Sequence, residues 1–204
     1  MYVYKLEDWN KNRVKIYFEE DRPAFVLYKK ELDKFGIKEG SEIRDETYNV
    51  ILNDLLKKRA VSRTLYLLDS CARTEEGIRK KLESGFYPKE AIDAAVSYAK
   101  AKHYIDDAWY ASAFASERIS TKSRYMIKHE LINRGISKEI AENAVEGLED
   151  AEKETISRLM DKKCQNGGNP DGRQMQKLVR SLLQKGFRYE DIRDVIRSRD
   201  NFYL

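Results

Sequence analysis

The sequence contains few of the residue types that most often build catalytic and metal sites. It has 2 cysteines and 2 histidines in 204 residues. Cys71 and Cys164 form neither a CxxC pair nor a disulfide framework, and we expect both to be buried, reduced thiols of a cytosolic protein. His103 and His129 lie in no HExxH motif and at no metal-ligand spacing, which predicts structural or surface roles for both.

Long apolar runs and nucleotide-binding loops are also missing. No run of 18 apolar residues predicts a transmembrane helix, and the start, MYVYKLEDWNKNR, lacks the apolar segment of a signal peptide. There is no GxxxxGK[ST], no GxGxxG after a strand and no GxSxG. The adjacent carboxylates Asp106 and Asp107 are explained by helix capping, since neighbouring residues do not face each other on a helix. We therefore expect no enzyme, no metal, no cofactor and no membrane protein.

The sequence does contain an internal repeat with three copies. The copies are IRKKLESGFYPKEAIDAAV (78–96), IKHELINRGISKEIAENAV (127–145) and LVRSLLQKGFRYEDIRDVI (178–196), and their starts lie 49 and 51 positions apart. Each copy opens with two apolar residues four apart, on one helix face. A glycine (Gly85, Gly135 or Gly186) then supplies the left-handed residue that ends the helix. A period of about 50 residues indicates a repeat architecture.

A further helix precedes each copy, so each repeat has three helices. Thr74 is expected to cap the second helix of the first repeat, and Ser120 or Thr121 the equivalent helix of the second. Either Asp106 or Asp107 is expected to begin the second repeat, and the third begins near Asp150. The glycine-rich stretch QNGGNPDG (165–172) predicts a flexible linker.

The first 28 residues differ in kind from the repeats. VYKLEDW, RVKIYFEE and AFVLYKK are rich in β-formers and are separated by turn residues, which predicts a three-stranded antiparallel meander. Val14, Ile16 and Phe18 alternate with polar neighbours and should face the core. Such a small sheet needs a helix across one face. We expect a short helix ending at Gly36 and a longer one capped by Asp45.

The predicted fold is therefore mainly α. Three tandem three-helix repeat modules in an elongated array follow a small N-terminal three-stranded β-meander with helix (α+β). The predicted boundaries are 1–61 for the N-terminal extension and 62–106, 107–149 and 150–204 for the repeats. We expect a monomer.

Basic residues recur on the middle helix of all three repeats. The formal net charge is +4, and residues 153–204 hold 12 basic against 7 acidic side chains. Any single basic residue can simply belong to a solvated helix face, but stacked repeats would align them into one stripe. Such a stripe suits a phosphate backbone or an acidic groove. The candidate binding residues are Arg79, Lys80, Lys81, Arg118, Lys122, Arg124, Lys128, Arg134, Lys177, Arg180, Lys185, Arg188, Arg193 and Arg197.

Four motifs in series resemble a known family. TEEGIRKKLESGF, YIDDAWYASAFASERI, IKHELINRGISKEI and LVRSLLQKGFRYEDI, spread over about residues 60–198, resemble RecX, the bacterial regulators of the RecA recombinase. The first 60 residues resemble the β-containing extension that some members carry. Two features depart from the pattern: Gly85 comes one residue early, and Trp109–Tyr110 places an extra aromatic where one is expected.

The resemblance implies a regulator that acts without chemistry or cofactor of its own. It implies a cytoplasmic protein that lies in the groove of the RecA filament on single-stranded DNA. There it would restrain ATP hydrolysis, strand exchange and filament growth, and so moderate recombination, DNA repair and the SOS response. RecA is the implied partner.

Two other functions are compatible with the residues alone. A helix, a glycine turn and a helix with basic residues resemble a helix-turn-helix, which would make the chain a stand-alone DNA-binding protein. The basic residues, however, precede the glycine more than they follow it. A helical repeat scaffold for another protein is the third hypothesis. Whether the basic residues contact RecA or single- or double-stranded DNA is left open by the sequence.

Overall fold

The computed structural model describes residues 1–19, 24–164 and 172–200. These residues form two compact units, Met1–Asp106 and Asp107–Leu204. The predicted linker falls on residues 165–171, outside the described part, and Gly172 already begins a helix.

The N-terminal sheet is the predicted meander. Strands β1 (Val3–Asn10), β2 (Arg13–Phe18) and β3 (Phe25–Tyr28) pair antiparallel in the order β1-β2-β3. The side chains of Val14, Ile16 and Phe18 are buried. The alternation of apolar and polar residues along β2 therefore predicted the core-facing side of the sheet correctly.

Helices follow the sheet directly. Helix α1 (Lys29–Phe35) ends at Gly36, whose φ of 66° is the left-handed conformation expected of a glycine cap. Helix α2 (Asp45–Val50) continues through a wide π-helical segment (Ile51–Leu56) into α3 (Lys57–Ser70).

The cap predicted for α2 is wrong by one position. Asp45 is the first helical residue, and the extended residue before it is Arg44. Asp45 and Glu46 still place two carboxylates in the first turn, where the positive end of the helix dipole favours them.

The sheet and the first repeat share one hydrophobic core. The Phe25 ring lies 5.3 Å from that of Phe18 and 5.9 Å from that of Tyr48, so α2 covers the sheet. A single cluster of buried residues runs from Val3 to Ile105. This shared core agrees with the rule that a three-stranded sheet reaches stability only by packing against helices. The predicted boundary at residue 61 lies inside α3.

The first repeat consists of α3, α4 (Glu75–Glu83) and α5 (Lys89–Ala101). Thr74 caps α4 as predicted: its Oγ1 accepts a hydrogen bond of 3.0 Å from the Gly77 backbone N–H. The left-handed residue in the turn after α4 is Phe86, with φ 53°, and not Gly85, so that prediction is wrong.

Gly85 instead lies where a side chain would be tightly packed. A Cβ at this position would lie 3.0 Å from the Leu82 carbonyl oxygen and 3.1 Å from the Tyr87 ring. Phe86 stands eight residues after Ile78, the same distance at which the other two repeats place their glycine. The early position of Gly85 therefore does not shift the turn. The left-handed residue stands at the same place in all three repeats, and only its type differs.

The second repeat contains α6 (Asp107–Arg118), α7 (Arg124–Asn133) and α8 (Lys138–Asn143). The third contains α9 (Glu149–Cys164), α10 (Gly172–Gln184) and α11 (Tyr189–Asp200). Gly135 and Gly186 are left-handed, with φ 86° and 82°, as predicted.

The cap of α7 corrects a further prediction. Ser123, and neither Ser120 nor Thr121, accepts the hydrogen bond from the Met126 N–H at the start of the helix. Ser120 and Thr121 instead donate to carbonyl oxygens at the end of α6. All three are short hydroxyl residues in one loop, so composition alone does not distinguish the cap.

The predictions for cysteine and histidine have mixed outcomes. Cys71 is exposed after the end of α3, which corrects the predicted burial, and the side chain of Cys164 lies outside the described residues. His103 is exposed in a left-handed turn, and the exposed His129 ring lies 4.4 Å from the Tyr125 ring. Within the described ranges, no group of three or more metal-binding side chains occurs. No helix in the described part is long and apolar enough to cross a membrane.

Candidate functional site

The three basic residues predicted on α4 have different surroundings. Arg79 donates to Glu75 at 2.9 Å and to Asp93 on α5 at 2.6 Å. Lys80 lies 3.3 Å from Glu76, in an exposed i, i+4 pair. Lys81 is exposed at the edge of a cleft described below. Arg79 therefore holds the first repeat together, while Lys81 is presented to solvent.

The network around Arg79 predicts an acid-sensitive contribution to stability. Hydrogen bonds from Lys100 and Arg79 lower the pKa of Glu75 below its ordinary 4.5, against the opposing effect of burial. The unfolded chain therefore binds the proton more readily, so this stabilisation is present above about pH 4.5 and is lost as the pH falls through the lowered pKa. Glu75→Gln should flatten the decline in melting temperature between about pH 5 and pH 3.

Thermal unfolding followed by circular dichroism across this pH range measures the effect. Glu83→Gln, an exposed substitution on the same helix, is the control and should retain the decline of the parent chain. Equal pH dependence in Glu75→Gln and the parent would show that the network does not contribute.

Basic residues of the second repeat are mostly joined to acids. Lys122 pairs with Glu130, and Lys128 lies 2.5 Å from Glu142, whose pKa is lowered by this hydrogen bond. A charge reversal at either lysine would place two carboxylates against each other. These side chains connect parts of the repeat and are poorly placed to hold an external anion.

Two arginines of this repeat pack on an aromatic ring. The Arg134 guanidinium carbon lies 4.9 Å and that of Arg118 lies 5.5 Å from the centre of the Phe114 ring. Arg134 also donates to the Tyr110 hydroxyl at 3.1 Å. Both arginines thus cover apolar surface as well as carrying charge.

Arg124 belongs to a buried polar cluster between the second and third repeats. Its backbone N–H donates to Glu152 Oε1 at 2.8 Å, and its Nε donates to Oε2 at 2.6 Å. It also pairs with Glu149. Ser123 donates to the Lys185 carbonyl oxygen at 2.9 Å, and Thr155 donates to that of Ile119 at 2.7 Å.

We call this cluster the repeat joint; it comprises Ser123, Arg124, Glu152, Thr155 and Gly186. Ser123, Glu152 and Thr155 are at most 3% exposed. Its hydrogen bonds tie the cap of α7 to α9 and to the glycine turn of the third repeat. Arg124, a predicted binding residue, therefore has a structural role here.

Helix α10 carries basic residues that are exposed and form no ion pair with a described acidic residue. Leu178 and Leu182 are buried on one side. Arg173, Lys177 and Arg180 lie at i, i+4 and i+7 on the opposite side and are exposed. No acidic side chain in the described ranges pairs with these three residues, which we call the basic face of α10.

The remaining predicted residues of the third repeat are also exposed. Arg193 lies 3.7 Å from Asp194, a weak surface pair. Lys185, Arg188 and Arg197 form no ion pair with any described residue. The predicted basic residues of the second repeat are thus held by acidic side chains or by an aromatic ring, whereas those of the third repeat face solvent.

A second basic surface, which the sequence patterns did not predict, is a cleft of about 570 Å³ in the first unit. The sheet forms one wall, α3 forms another, and the turn between α4 and α5 forms the third. The basic aromatic cleft, as we call it, is lined by Trp9, Arg13, Val26, Tyr28, Leu56, Arg59, Ser62, Arg63, Lys81, Ser84, Gly85, Phe86 and Tyr87. The basic run KKRAVSR (57–63) was the one local signal for it.

Three arginines make this cleft positive. The Tyr28 ring lies 4.7 Å from the Arg13 guanidinium carbon and 4.8 Å from that of Arg59. Burial raises the pKa of Tyr87, while the charges of Arg59, Arg13 and Arg63 act in the opposite direction. These three arginines therefore lie close enough to the Tyr87 hydroxyl to favour its ionised form, although burial has the larger effect.

Comparison with known proteins agrees with this architecture. Residues 106–145 match the second three-helix domain of RecX, and residues 150–196 match the third. A crystal structure of a regulatory protein RecX superimposes with a TM-score of 0.63 at 27% identity, covering 95% of this chain and 98% of that one. The structure of RecX from Lactobacillus salivarius gives a TM-score of 0.66 at 25% identity, over 71% of this chain and 97% of that one.

Curated relatives cover nearly the whole chain. The regulatory protein RecX of Caldanaerobacter subterraneus is 35% identical over 178 residues, which are 86% of this chain and 88% of the relative. That of Clostridium botulinum (strain Alaska E43) is 29% identical over 197 residues, or 95% and 92%. The sheet, the repeats and this similarity lead to one conclusion. The chain belongs to the RecX family of regulatory proteins.

Proposed function

We propose that the chain regulates the RecA recombinase by binding in the groove of the RecA filament on single-stranded DNA. In this proposal it restrains ATP hydrolysis, strand exchange and filament growth, and acts in the cytoplasm in DNA repair and the SOS response. It has no catalytic activity of its own. Membership of a family of regulatory proteins is the observation that carries the proposal.

The basic face of α10 supplies the principal contact in this proposal. Its side chains project from a helix whose other side is anchored by Leu178 and Leu182. They have no acidic neighbour to displace within the described ranges, so a partner need not break an ion pair to bind them. Lys185, Arg188, Arg193 and Arg197 extend the same charge along the third repeat.

Several weak contacts can together produce strong regulation. A chain with repeats can meet more than one RecA protomer, and linked contacts raise the effective concentration of each. If the filament state that hydrolyses ATP binds the chain less tightly than an inactive state, binding shifts the population toward the inactive state. No chemical step by this protein is needed.

The test is RecA ATPase activity on single-stranded DNA with the chain added in substoichiometric amounts. The proposal expects inhibition by the parent chain and a loss of roughly tenfold or more in potency for Arg173→Glu/Lys177→Glu/Arg180→Glu, because opposite charge now meets the filament surface. Glutamate at position 173 suits the positive end of the helix dipole, and glutamate is a good helix former at positions 177 and 180, so the helix should persist.

The matched control is Lys11→Glu/Lys30→Glu/Lys102→Glu, which makes the same charge change at exposed lysines of the first unit. It should inhibit like the parent. Absence of inhibition by the parent at any ratio would refute the proposed function. An equal loss of inhibitory potency in both triple variants would show that net charge, and not the basic face of α10, determines inhibition.

A further inference from the structure

We propose that the basic aromatic cleft binds single-stranded nucleic acid, with one base stacked on Trp9 and neighbouring phosphates held by Arg63 and Lys81. This inference is independent of the proposed function, since it concerns nucleic acid alone and a surface in the other unit. It rests on the ring geometry, the charge and the backbone of the cleft.

The indole ring of Trp9 is held in position and remains accessible. Trp9 is 39% exposed, and its ring meets Phe86 edge to face at 4.8 Å with an interplanar angle of 90°. Lys15 Nζ lies 3.6 Å from the centre of the Phe86 ring. Phe86 is therefore held from two directions and fixes the position of the indole, of which 39% of the residue surface stays accessible to a base.

Phe86 occupies a backbone conformation that the other repeats give to glycine. Its φ is 53°, against 86° for Gly135 and 82° for Gly186. A bulky residue in this region is strained, and such strain persists where the surroundings over-determine it, often at binding sites. Here the strained turn directs an aromatic side chain against Trp9, where a glycine would leave the cleft without its support.

The charge of the lining matches phosphate. Arg13, Arg59, Arg63 and Lys81 contribute four cations, and no acidic side chain belongs to the described lining. Arg59 is engaged by Glu31 at 2.5 Å, and Arg13 donates to the Tyr28 hydroxyl at 2.6 Å. Arg63 and Lys81 are exposed and have no acidic partner in the described part, so they are the residues available to a backbone.

Single-stranded nucleic acid fits this combination better than a duplex or an acidic peptide. An unpaired base offers its π-face to an aromatic ring, whereas the bases of a duplex are already stacked on one another. An acidic peptide would satisfy the cations but would leave the exposed part of the Trp9 ring without a partner. The binding is expected to be tolerant of sequence, because every base has a π-face.

Tryptophan fluorescence tests the stacking directly. The chain has 2 tryptophans, Trp9 and Trp109. Trp109→Phe leaves Trp9 as the reporter, and titration with a thymidine oligomer of about 15 nucleotides should quench its emission in a saturable manner, because the base stacks on the indole. Trp9→Phe leaves Trp109 as the reporter in the other unit, and its emission should not change.

Fluorescence anisotropy of the labelled oligomer tests the contribution of charge and ring. Trp9→Ala should weaken binding about tenfold through loss of the stack. Arg63→Gln/Lys81→Gln should weaken binding and reduce the slope of log K against log salt by roughly 1.4 for two lost phosphate contacts. Lys30→Gln/Lys102→Gln removes two exposed charges outside the cleft. It should change the affinity and the salt slope by less than Arg63→Gln/Lys81→Gln does.

Three results would overturn the proposal. Quenching of Trp109 but not of Trp9 would place nucleic acid elsewhere. Equal affinity for duplex and single strand would exclude stacking of an unpaired base. Displacement of the oligomer by a short poly-glutamate peptide at equal charge concentration would assign the cleft to acidic protein segments. Circular dichroism of each variant confirms that the fold is retained, and the surface pair Arg63→Gln/Lys81→Gln keeps the test valid if Trp9→Ala unfolds.

Discussion

Gly186→Ala is expected to destabilise the chain by about 2–5 kcal/mol, through left-handed strain of about 1–2 kcal/mol and overpacking of about 1–3 kcal/mol. Gly186 has φ 82°, in the region that L side chains rarely adopt. A Cβ built there would lie 2.7 Å from Ser123 Oγ and 2.9 Å from Met126 Cγ. Both distances are shorter than side chains tolerate.

Ser123 has little freedom to move away from such a methyl group. It is fully buried, it caps α7, and its hydroxyl donates to the Lys185 carbonyl oxygen one residue before Gly186. Relief of the overlap would therefore break a cap worth about 1 kcal/mol or separate the third repeat from the second.

Gly147→Ala is the matched control. Gly147 has φ 76° in the same unit, but nothing lies within 4 Å of its Cβ position. It should cost only the left-handed strain, about 1–2 kcal/mol. Urea unfolding of the full chain measures both, and equal losses would show that the overlap at the repeat joint is relieved at no cost.

Glu152→Ala is expected to cost about 3 kcal/mol or more, because it removes one partner of a mostly buried ion pair. Glu152 is 3% exposed, and its carboxylate accepts from both the backbone and the side chain of Arg124. Without it, the first N–H of α7 and the guanidinium of Arg124, whose side chain is 18% exposed, lose their principal acceptor. Glu149 remains as a second, more exposed partner of Arg124 and limits the loss.

The control for this substitution is Glu154→Ala, two residues further along α9 and exposed. It should change stability by less than about 0.5 kcal/mol. The double variant Glu152→Ala/Arg124→Ala should be less destabilised than the sum of the single variants, since neither charge is then left without a partner. Additive losses would mean that the two side chains do not interact.

Arg124 and Glu152 show why the sequence alone could not tell which of the predicted basic residues are free to bind a partner. Arg124 matched the pattern of a recurring basic residue as well as Lys177 did. Its acidic partner Glu152 lies 28 positions away, on the first helix of the next repeat. Local periodicity identifies which face of a helix a residue occupies, but it carries no information about the element packed against that face.

The turn of the first repeat also differs from its sequence pattern. Gly85 comes one residue earlier in its repeat than Gly135 and Gly186 do in theirs. The structure keeps the turn in step and places Phe86 at the left-handed position. Glycine adopts this conformation most readily, but another residue can take it where contacts compensate for the strain. Here Trp9 and Lys15 contact the Phe86 ring and stabilise it.

By itself the sequence determined the three repeats, the three-stranded meander, the Thr74 cap, the glycine turns at 135 and 186 and the family. These features depend on residues within one or two helical turns, or on motif order, and both can be read along the chain. Only the tertiary structure decided which basic residues face solvent and where the basic aromatic cleft lies. That cleft joins residues from Trp9 to Tyr87. Ion pairs and clefts are made by elements distant in sequence, so their location depends on packing that no local pattern encodes.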